Sequence, residues 1–353
     1  LAYGKQADRI EEMRILAIET SCDETAASIV EERRGQVIVN TNVVFSQIAT
    51  HAATGGVVPN IAARLHSQNL PEVLIQATKN KKISFQAVAV TTGPGLIGCL
   101  LIGLSAAQTI VALEKKPIYG INHLEGHIYS AWLGEEAPEL PALVVIVSGG
   151  HTELVLMKRH LHYQLLGSTR DDAAGEAFDK VARLLELSYP GGPAISRLAV
   201  HGNPEAYQLP ISLPRKGDLD FSFSGLKAAT SFLLTKLPQP LPEHLKADVA
   251  ASFQSTIAQA IVRKTQFALE KYPEVQSVCL VGGVSANSHL RAQLEQMINQ
   301  EGKRRFFVPK MDYCTDNAAM IGAAAVYHYL FSKPDNWYDL EADPNRQLTS
   351  NGK

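Results

Sequence analysis

Two distant segments of this chain open in the same way, and that duplication constrains the fold more than any single motif does. Ile15 to Ile29 reads as strand, short polar turn, strand, with Glu19-Thr20-Ser21-Cys22-Asp23-Glu24-Thr25 as the turn. Leu143 to Leu156 reads likewise around Ser148-Gly149-Gly150-His151-Thr152. A second shared pattern follows each opening. In the first half the strand Ala87 to Val90 enters Thr91-Thr92-Gly93-Pro94-Gly95, then come an apolar helix, a strand at Pro117 to Ile121, and Asn122-His123-Leu124-Glu125-Gly126-His127. In the second half Val278 to Val281 enters Gly282-Gly283-Val284-Ser285-Ala286-Asn287, followed by a helix, a strand at Arg305 to Val308, and Asp312 to Asn317 before the last helix.

Alternation of strands and helices is common in α/β proteins, so the order alone leaves chance similarity open. Taken with the paired turns, it resembles the actin, Hsp70 and sugar kinase superfamily. The expectation is an α/β, actin-like ATPase (ASKHA) fold: two duplicated βββαβα-type lobes around a nucleotide cleft. A chain of 353 residues has the length for two such lobes at about 150 residues per domain. Their expected extents are 13–133 and 134–345. The halves are unequal, because the run from opening strand to glycine loop takes about 70 residues in the first and about 135 in the second. The surplus, about Arg159 to Pro242, reads as a helical substrate-binding insertion: a helix over Ala173 to Leu187, a loop at Tyr189 to Pro193, and Phe221-Ser222-Phe223-Ser224-Gly225.

Composition narrows the partners less than the repeat narrows the fold. A formal charge of −2 argues against holding nucleic acid through a global basic field, but leaves room for a local patch or a basic partner. Lys303-Arg304-Arg305 and Arg215-Lys216 are such patches, and each alone reads as an ordinary solvated surface. Cys22, Cys99, Cys279 and Cys314 lie far apart without Cys-X-X-Cys spacing, which predicts reduced thiols in a reducing compartment. The longest uncharged run, Ile97 to Leu113, carries Gly103, Ser105, Gln108 and Thr109 and suits a buried helix better than a membrane span. Residues 1–12 are polar and lack the apolar stretch of a signal peptide. Met13 is therefore the expected natural start and 1–12 an extension or expression remnant.

His123 and His127, four apart at a helix start, project from one face and can chelate a metal, although capping or packing histidines have the same spacing. Glu125 lies between them on another face, which disfavours a zinc protease of the His-Glu-X-X-His kind. The repeat sets Asp312 to Asn317 in the position that His123 and His127 occupy, so Asp316 is the expected third ligand. Two imidazoles and a carboxylate suit one divalent ion, Fe(II) or Zn(II), with positions left open for substrate. Asp316 reads equally as the N-cap of an alanine-rich helix. Ser148-Gly149-Gly150 and the Gly282-to-Asn287 loop place backbone N–H groups where an anion can approach, as expected for a nucleotide site.

Six ordered motifs then carry a specific resemblance. They are Ile18 to Thr25, Asn122 to His127, Val147 to His151, Asp171 to Lys180 (Asp-Asp-Ala-Ala-Gly-Glu-Ala-Phe-Asp-Lys), Phe221 to Lys227, and Cys314-Thr315-Asp316-Asn317. Together, from about Met13 to Leu330, they resemble the TsaD family of tRNA-modifying enzymes, once called glycoproteases. The resemblance implies transfer of a threonylcarbamoyl group from threonylcarbamoyl-AMP to the N6 amine of the adenosine next to the anticodon, in tRNAs reading ANN codons. It implies His123, His127 and Asp316 as metal ligands, with Fe(II) ahead of Zn(II). It also implies Ile146, Val147, Ser148, Gly149, Gly150, Asp179, Gly192 and Asn287 as substrate-binding residues, and Asp23 and Glu24 as acidic residues tied to activity. TsaB and TsaE are the implied partners, with the adenylate supplied by a TsaC-type synthase and no membrane involved. Ile146 stands where archaeal and eukaryotic cytosolic relatives have a metal-reaching tyrosine, which implies the bacterial or mitochondrial branch and a bacterial cytoplasmic or mitochondrial location. Ser196 stands where many relatives carry an acidic residue. Two other readings of the clamp stay open at this point, an ATP-dependent kinase or carbamoyl transferase acting on a small metabolite and a non-catalytic ATP-binding scaffold.

Overall fold

The structure, a computed structural model, describes residues 13–80 and 84–348. The expected extension at 1–12 lies outside the described residues. Two compact units emerge. The first contains the described residues up to Gln47, together with Pro59–Ala137 and Asp316–Gln347. The second contains Ile48–Val58 and Pro138–Thr315, with Leu348.

In the first unit β1 (Met13–Glu19), β2 (Glu24–Arg33) and β3 (Gln36–Ser46) form an antiparallel meander. A short helix, α1 (Ile48–Ala52), falls in the second unit, and α2 (Pro59–Thr78) follows in the first. Next come β4 (Ala87–Gly93), α3 (Ile97–Glu114), β5 (Ile118–Asn122) and α4 (His123–Ser130). β4 runs parallel to β1 on one side and to β5 on the other, giving the order β3-β2-β1-β4-β5.

The second unit repeats this. β6 (Ala142–Val147), β7 (Thr152–Arg159) and β8 (His162–Ser168) form the meander. Four helices intervene: α5 (Ala174–Leu184), α6 (Gly191–Ala199), α7 (Ser224–Thr235) and α8 (Glu243–Lys271). Then β9 (Ser277–Val281), α9 (Ser288–Glu301), β10 (Arg305–Phe307) and α10 (Ala318–Phe331) close the chain's regular elements. Read from β8, the second sheet runs β8-β7-β6-β9-β10, the same topology as the first.

Burial on both faces explains the near-continuous apolar central strands, Ile15 to Ile18 and Leu143 to Val147, all of them buried. In the first sheet Ile18, Val88 and Val90 join Leu70 of α2 and Leu104, Ala107 and Val111 of α3. The opposite face receives α10, where a Cβ on Gly322 would meet Val30 and Ala17. The run of alanines around that glycine permits this close approach. α3 is long and apolar enough to cross a membrane by length and composition; here it lays Cys99, Leu100, Gly103, Leu104, Ala107 and Val111 inward and leaves Leu101 and Leu113 exposed.

Three expectations differ from this arrangement. The repeat places the last helix in the second lobe, but α10 packs on β1, β2 and α4 and belongs to the first unit. The insertion was drawn from Arg159, yet β8 is the third meander strand and counterpart of β3, so the surplus begins after Ser168. The loop expected at Tyr189 to Pro193 is the start of α6: Pro190 takes the N-cap and Pro193 falls in the first turn, where no intrahelical donor is needed.

Candidate metal and substrate site

The first unit assembles its polar residues at the ends of three adjacent strands. β1 ends at Glu19, β4 carries Thr91 beside it, and β5 ends at Asn122, whose side chain accepts hydrogen bonds from Leu124 and Glu125 N–H and caps α4. The first residue of α4 is His123, and one turn later comes His127. Asn317 caps α10 through Met320 N–H, so the cap role left open for Asp316 belongs to its neighbour. Asp316 turns its carboxylate towards the histidines. Its Oδ1 lies 3.2 Å from His127 Nε2 and 3.6 Å from His123 Nε2.

One donor atom from each of the three residues lies within 4.8 Å of the others. Burial sharpens what that spacing means. His127 is fully buried and neither of its ring nitrogens makes a hydrogen bond, despite the short approach of Nε2 to Asp316. A buried polar atom without a partner is costly, and an ion among the three donors would satisfy His127 Nε2. Burial alone would lower the pKa of His123, but the carboxylates of Asp316 and Glu19 outweigh it and raise it to about 9. Those charges that hold a proton also favour a metal cation in its place. The donor set therefore fits a divalent ion.

Asp23 and Glu24 lie in the first turn of the same unit, nearly buried. They share a hydrogen bond, and Glu24 also accepts one from the Ser46 hydroxyl at 3.2 Å. Burial, then Asp316, then Asp23 push the Glu24 carboxyl well above the usual carboxylate range. The turn is clamped by His66 of α2, whose Nε2 lies 3.0 Å from the Cys22 carbonyl and Nδ1 2.7 Å from the Thr25 hydroxyl. Nothing in the spacing of the sequence pointed to His66. Glu125 faces away from the triad, 2.8 Å from His328 Nε2, so a buried pair ties α4, which carries both histidines, to α10, which follows Asp316.

The second unit gathers the expected substrate residues. Ile146 and Val147 are wholly buried in β6, while Gly149 and Gly150 beyond them are exposed, with open space where a Cβ would stand. Ser148 hydrogen-bonds across its own turn to His151. Gly175, at the start of α5, must be glycine because a Cβ would strike the Ser148 carbonyl and Gly149. Gly282, with φ +90°, similarly lies against Val147. The two glycine turns are thus built against one another, and Gly283 also presents open backbone. Asn287 caps α9 through Leu290 N–H and donates to Gln254 of α8 at 2.7 Å, a nearly buried partner that the sequence did not single out. Asp179 accepts from Gly191 N–H at 2.7 Å, which places it next to Gly192, another glycine with open space. Ser196 lies in α6.

A family profile described as "TsaD: tRNA N6-adenosine threonylcarbamoyltransferase" matches residues 39–323. The chain belongs to the TsaD family. Relatives named tRNA N6-adenosine threonylcarbamoyltransferase include one from Moorella thermoacetica, 50% identical over 90% of this chain and 93% of its own, and one from Brucella anthropi, 47% identical over 92% of each. The TsaD family is one of transferases, and this chain is an enzyme of that kind. Among solved structures, full-length HypF in its phosphate- and nucleotide-bound form has a TM-score of 0.60 at 13% identity, covering 90% of this chain and 46% of HypF. HypF from T. kodakarensis gives the same TM-score at 12% identity. These likenesses are of fold and bear out the actin-like α/β architecture.

The basic patches are partly committed elsewhere. Arg304 pairs with Glu301 and donates to the Val275 and Leu269 carbonyls, and Lys216 pairs with Glu270 at 2.6 Å. The four cysteines form no disulfide.

Proposed function

We propose that this protein transfers the threonylcarbamoyl group from threonylcarbamoyl-AMP to the N6 amine of the adenosine next to the anticodon in tRNAs reading ANN codons, releasing AMP. The observation that carries the reading is the donor triad of buried His123 and His127 with half-buried Asp316, in which both His127 nitrogens lack hydrogen bonds among the described residues. These residues would hold one divalent ion, Fe(II) in preference to Zn(II). When bound, such an ion supplies a Lewis acid that stabilises negative charge developing on the mixed anhydride.

This chain's own residues bind, orient and move a proton. The backbone at Gly149, Gly150 and Gly283, with open space beside each, receives the adenylate phosphate, with Ile146, Val147 and Ser148 shaping the strand end that presents it. Asp179, Gly192 and Asn287 hold the adenosine part. The N6 nitrogen forms a bond to the carbamoyl carbon; the bond from that carbon to the phosphate oxygen breaks, and AMP leaves with the electron pair. Asp23 and Glu24 share a hydrogen bond in which Glu24 holds its proton, and the dyad takes the proton that the amine gives up. TsaB and TsaE are the protein partners, a TsaC-type synthase supplies the adenylate, and no membrane takes part. The enzyme acts in the bacterial cytoplasm, with the mitochondrion as the alternative location.

The test is incubation of unmodified tRNA with threonine, bicarbonate, ATP and the partner enzymes, followed by nucleoside mass spectrometry. Threonylcarbamoylated adenosine should form only when this chain is present. Product without the chain, or turnover of a small soluble acceptor in place of tRNA, would overturn the reading.

A further inference from the structure

We propose that Glu19 is the positioning residue of the metal site: its carboxylate receives the Nδ1 proton of His123 and so presents an unprotonated Nε2 to the ion. The inference rests on the reading of His123, His127 and Asp316 as ligands and deepens it.

Glu19 is wholly buried, a costly place for a carboxylate unless its acceptors are used. All are. Oε1 accepts from Ser21 N–H at 2.5 Å, and Oε2 accepts from the Thr91 hydroxyl at 2.5 Å and lies 3.3 Å from His123 Nδ1. The Ser21 hydroxyl is 3.1 Å from that same nitrogen. An ionised carboxylate has no proton to offer, so Nδ1 must be the donor. Once an ion displaces the second ring proton, that assignment leaves the lone pair on Nε2, the nitrogen facing Asp316. Strand register builds the arrangement: Ile18 pairs with Val90, so Glu19 and Thr91 are the next residues along two parallel neighbours. β5 then ends one residue before His123.

The two imidazoles are treated differently. His123 has a carboxylate behind it, whereas His127 Nδ1 has no hydrogen-bond partner among the described residues. Outer partners of metal-bound histidines fix tautomer and ring orientation, and losing one lowers metal affinity about 10- to 100-fold. A glutamine at position 19 cannot satisfy every neighbour. With its amide nitrogen towards His123 it imposes the opposite tautomer, with the proton on Nε2; with its oxygen there, its N–H₂ faces the Ser21 N–H.

The experiment titrates metal-free wild type and Glu19→Gln with Co(II) and Zn(II), following the Co(II) absorption spectrum and the heat of binding. In parallel, ¹⁵N NMR of the Zn(II) form reads the His123 tautomer, assigned by difference against His123→Gln. Wild type should bind one ion with the His123 proton on Nδ1, and Glu19→Gln should bind about 10- to 100-fold more weakly with unchanged circular dichroism. Equal affinity and the same tautomer in Glu19→Gln would overturn the role of Glu19 while leaving the ligand triad standing. Failure of wild type to bind either metal would overturn both. Should Glu19→Gln not fold, the wild-type tautomer decides, because a proton on Nε2 of His123 is incompatible with the proposal.

Discussion

The two halves of this molecule share one strand order but carry different kinds of group on its turns. In the first unit the opening turn buries Glu19, Asp23 and Glu24, and in the second it exposes Gly149 and Gly150. The later glycine loops diverge as well. Thr91 to Gly95 is covered by the chain's own C-terminal segment: Asp343 N–H donates to the Thr92 carbonyl, Gly95 N–H to the Pro344 carbonyl, and Arg346 to the Thr92 hydroxyl. Asn122, the cap of α4, donates to the Arg346 and Gln347 carbonyls. Its counterpart at Gly283 has nothing within 4 Å of a notional Cβ. On two scaffolds of the same topology, one half gathers two histidines and a carboxylate that could hold a cation, and the other leaves glycine backbone open.

The strongest way to break this contrast is at the triad. Asp316→Ala and His127→Ala should each lower transfer to tRNA by about 10³-fold, equivalent to about 4 kcal/mol of lost charge stabilisation, with circular dichroism unchanged. Nucleoside mass spectrometry reads the outcome, and activity within tenfold of wild type would remove the cation from the first half. A smaller effect is expected where α4 meets α10. His328→Ala leaves Glu125 buried without this partner and should cost about 3 kcal/mol in urea unfolding.

The glycine loops give the sharpest paired test. Gly93 has φ +143° and its Cβ would run into the Asp343 carbonyl, so Gly93→Ala should cost roughly 1–3 kcal/mol of stability. Gly150→Ala adds a methyl into open space, so it should change stability by less than about 0.5 kcal/mol. It should nevertheless weaken AMP binding by about tenfold in calorimetry. Equal stability losses at both positions would deny the difference between a plugged and an open loop.

The smallest effect is one of pH. In the metal-free protein the His123 pKa is raised from 6.5 to about 9, so the stability it contributes is full below pH 6.5 and is lost as pH rises through 9. An ion must displace that proton. The rise in Tm on adding Zn(II) should therefore grow between pH 7 and 8.5, while the rise on adding AMP stays level. A Zn(II) shift independent of pH would contradict the assignment.

Much of this contrast was legible in residue order. Strand, turn and strand repeat with the right spacing, and the repeat alone nominated Asp316 as a partner for His123 and His127, which the structure brings together. The attachment of α10 to the first unit was not legible, because the Gly322 contact with Ala17 and Val30 depends on close approach across the chain rather than on local pattern. In the sequence Glu19 reads as part of a turn; it is the last residue of β1, and its burial against His123 emerges only once β1, β4 and β5 are set side by side. The C-terminal cover is hidden for a similar reason. Its hydrogen bonds join residues more than 200 positions apart, through backbone groups and the side chains of Arg346 and Asn122, and no local pattern marks them.

The central claim is that His123, His127 and Asp316 share one ion. Anomalous diffraction from crystals of the protein loaded with Zn(II) or Co(II) tests it directly. The account predicts a single strong peak about 2.0–2.2 Å from His123 Nε2, His127 Nε2 and an Asp316 carboxylate oxygen. Crystals soaked in excess metal that show no peak there, or a peak only at other residues, would contradict it.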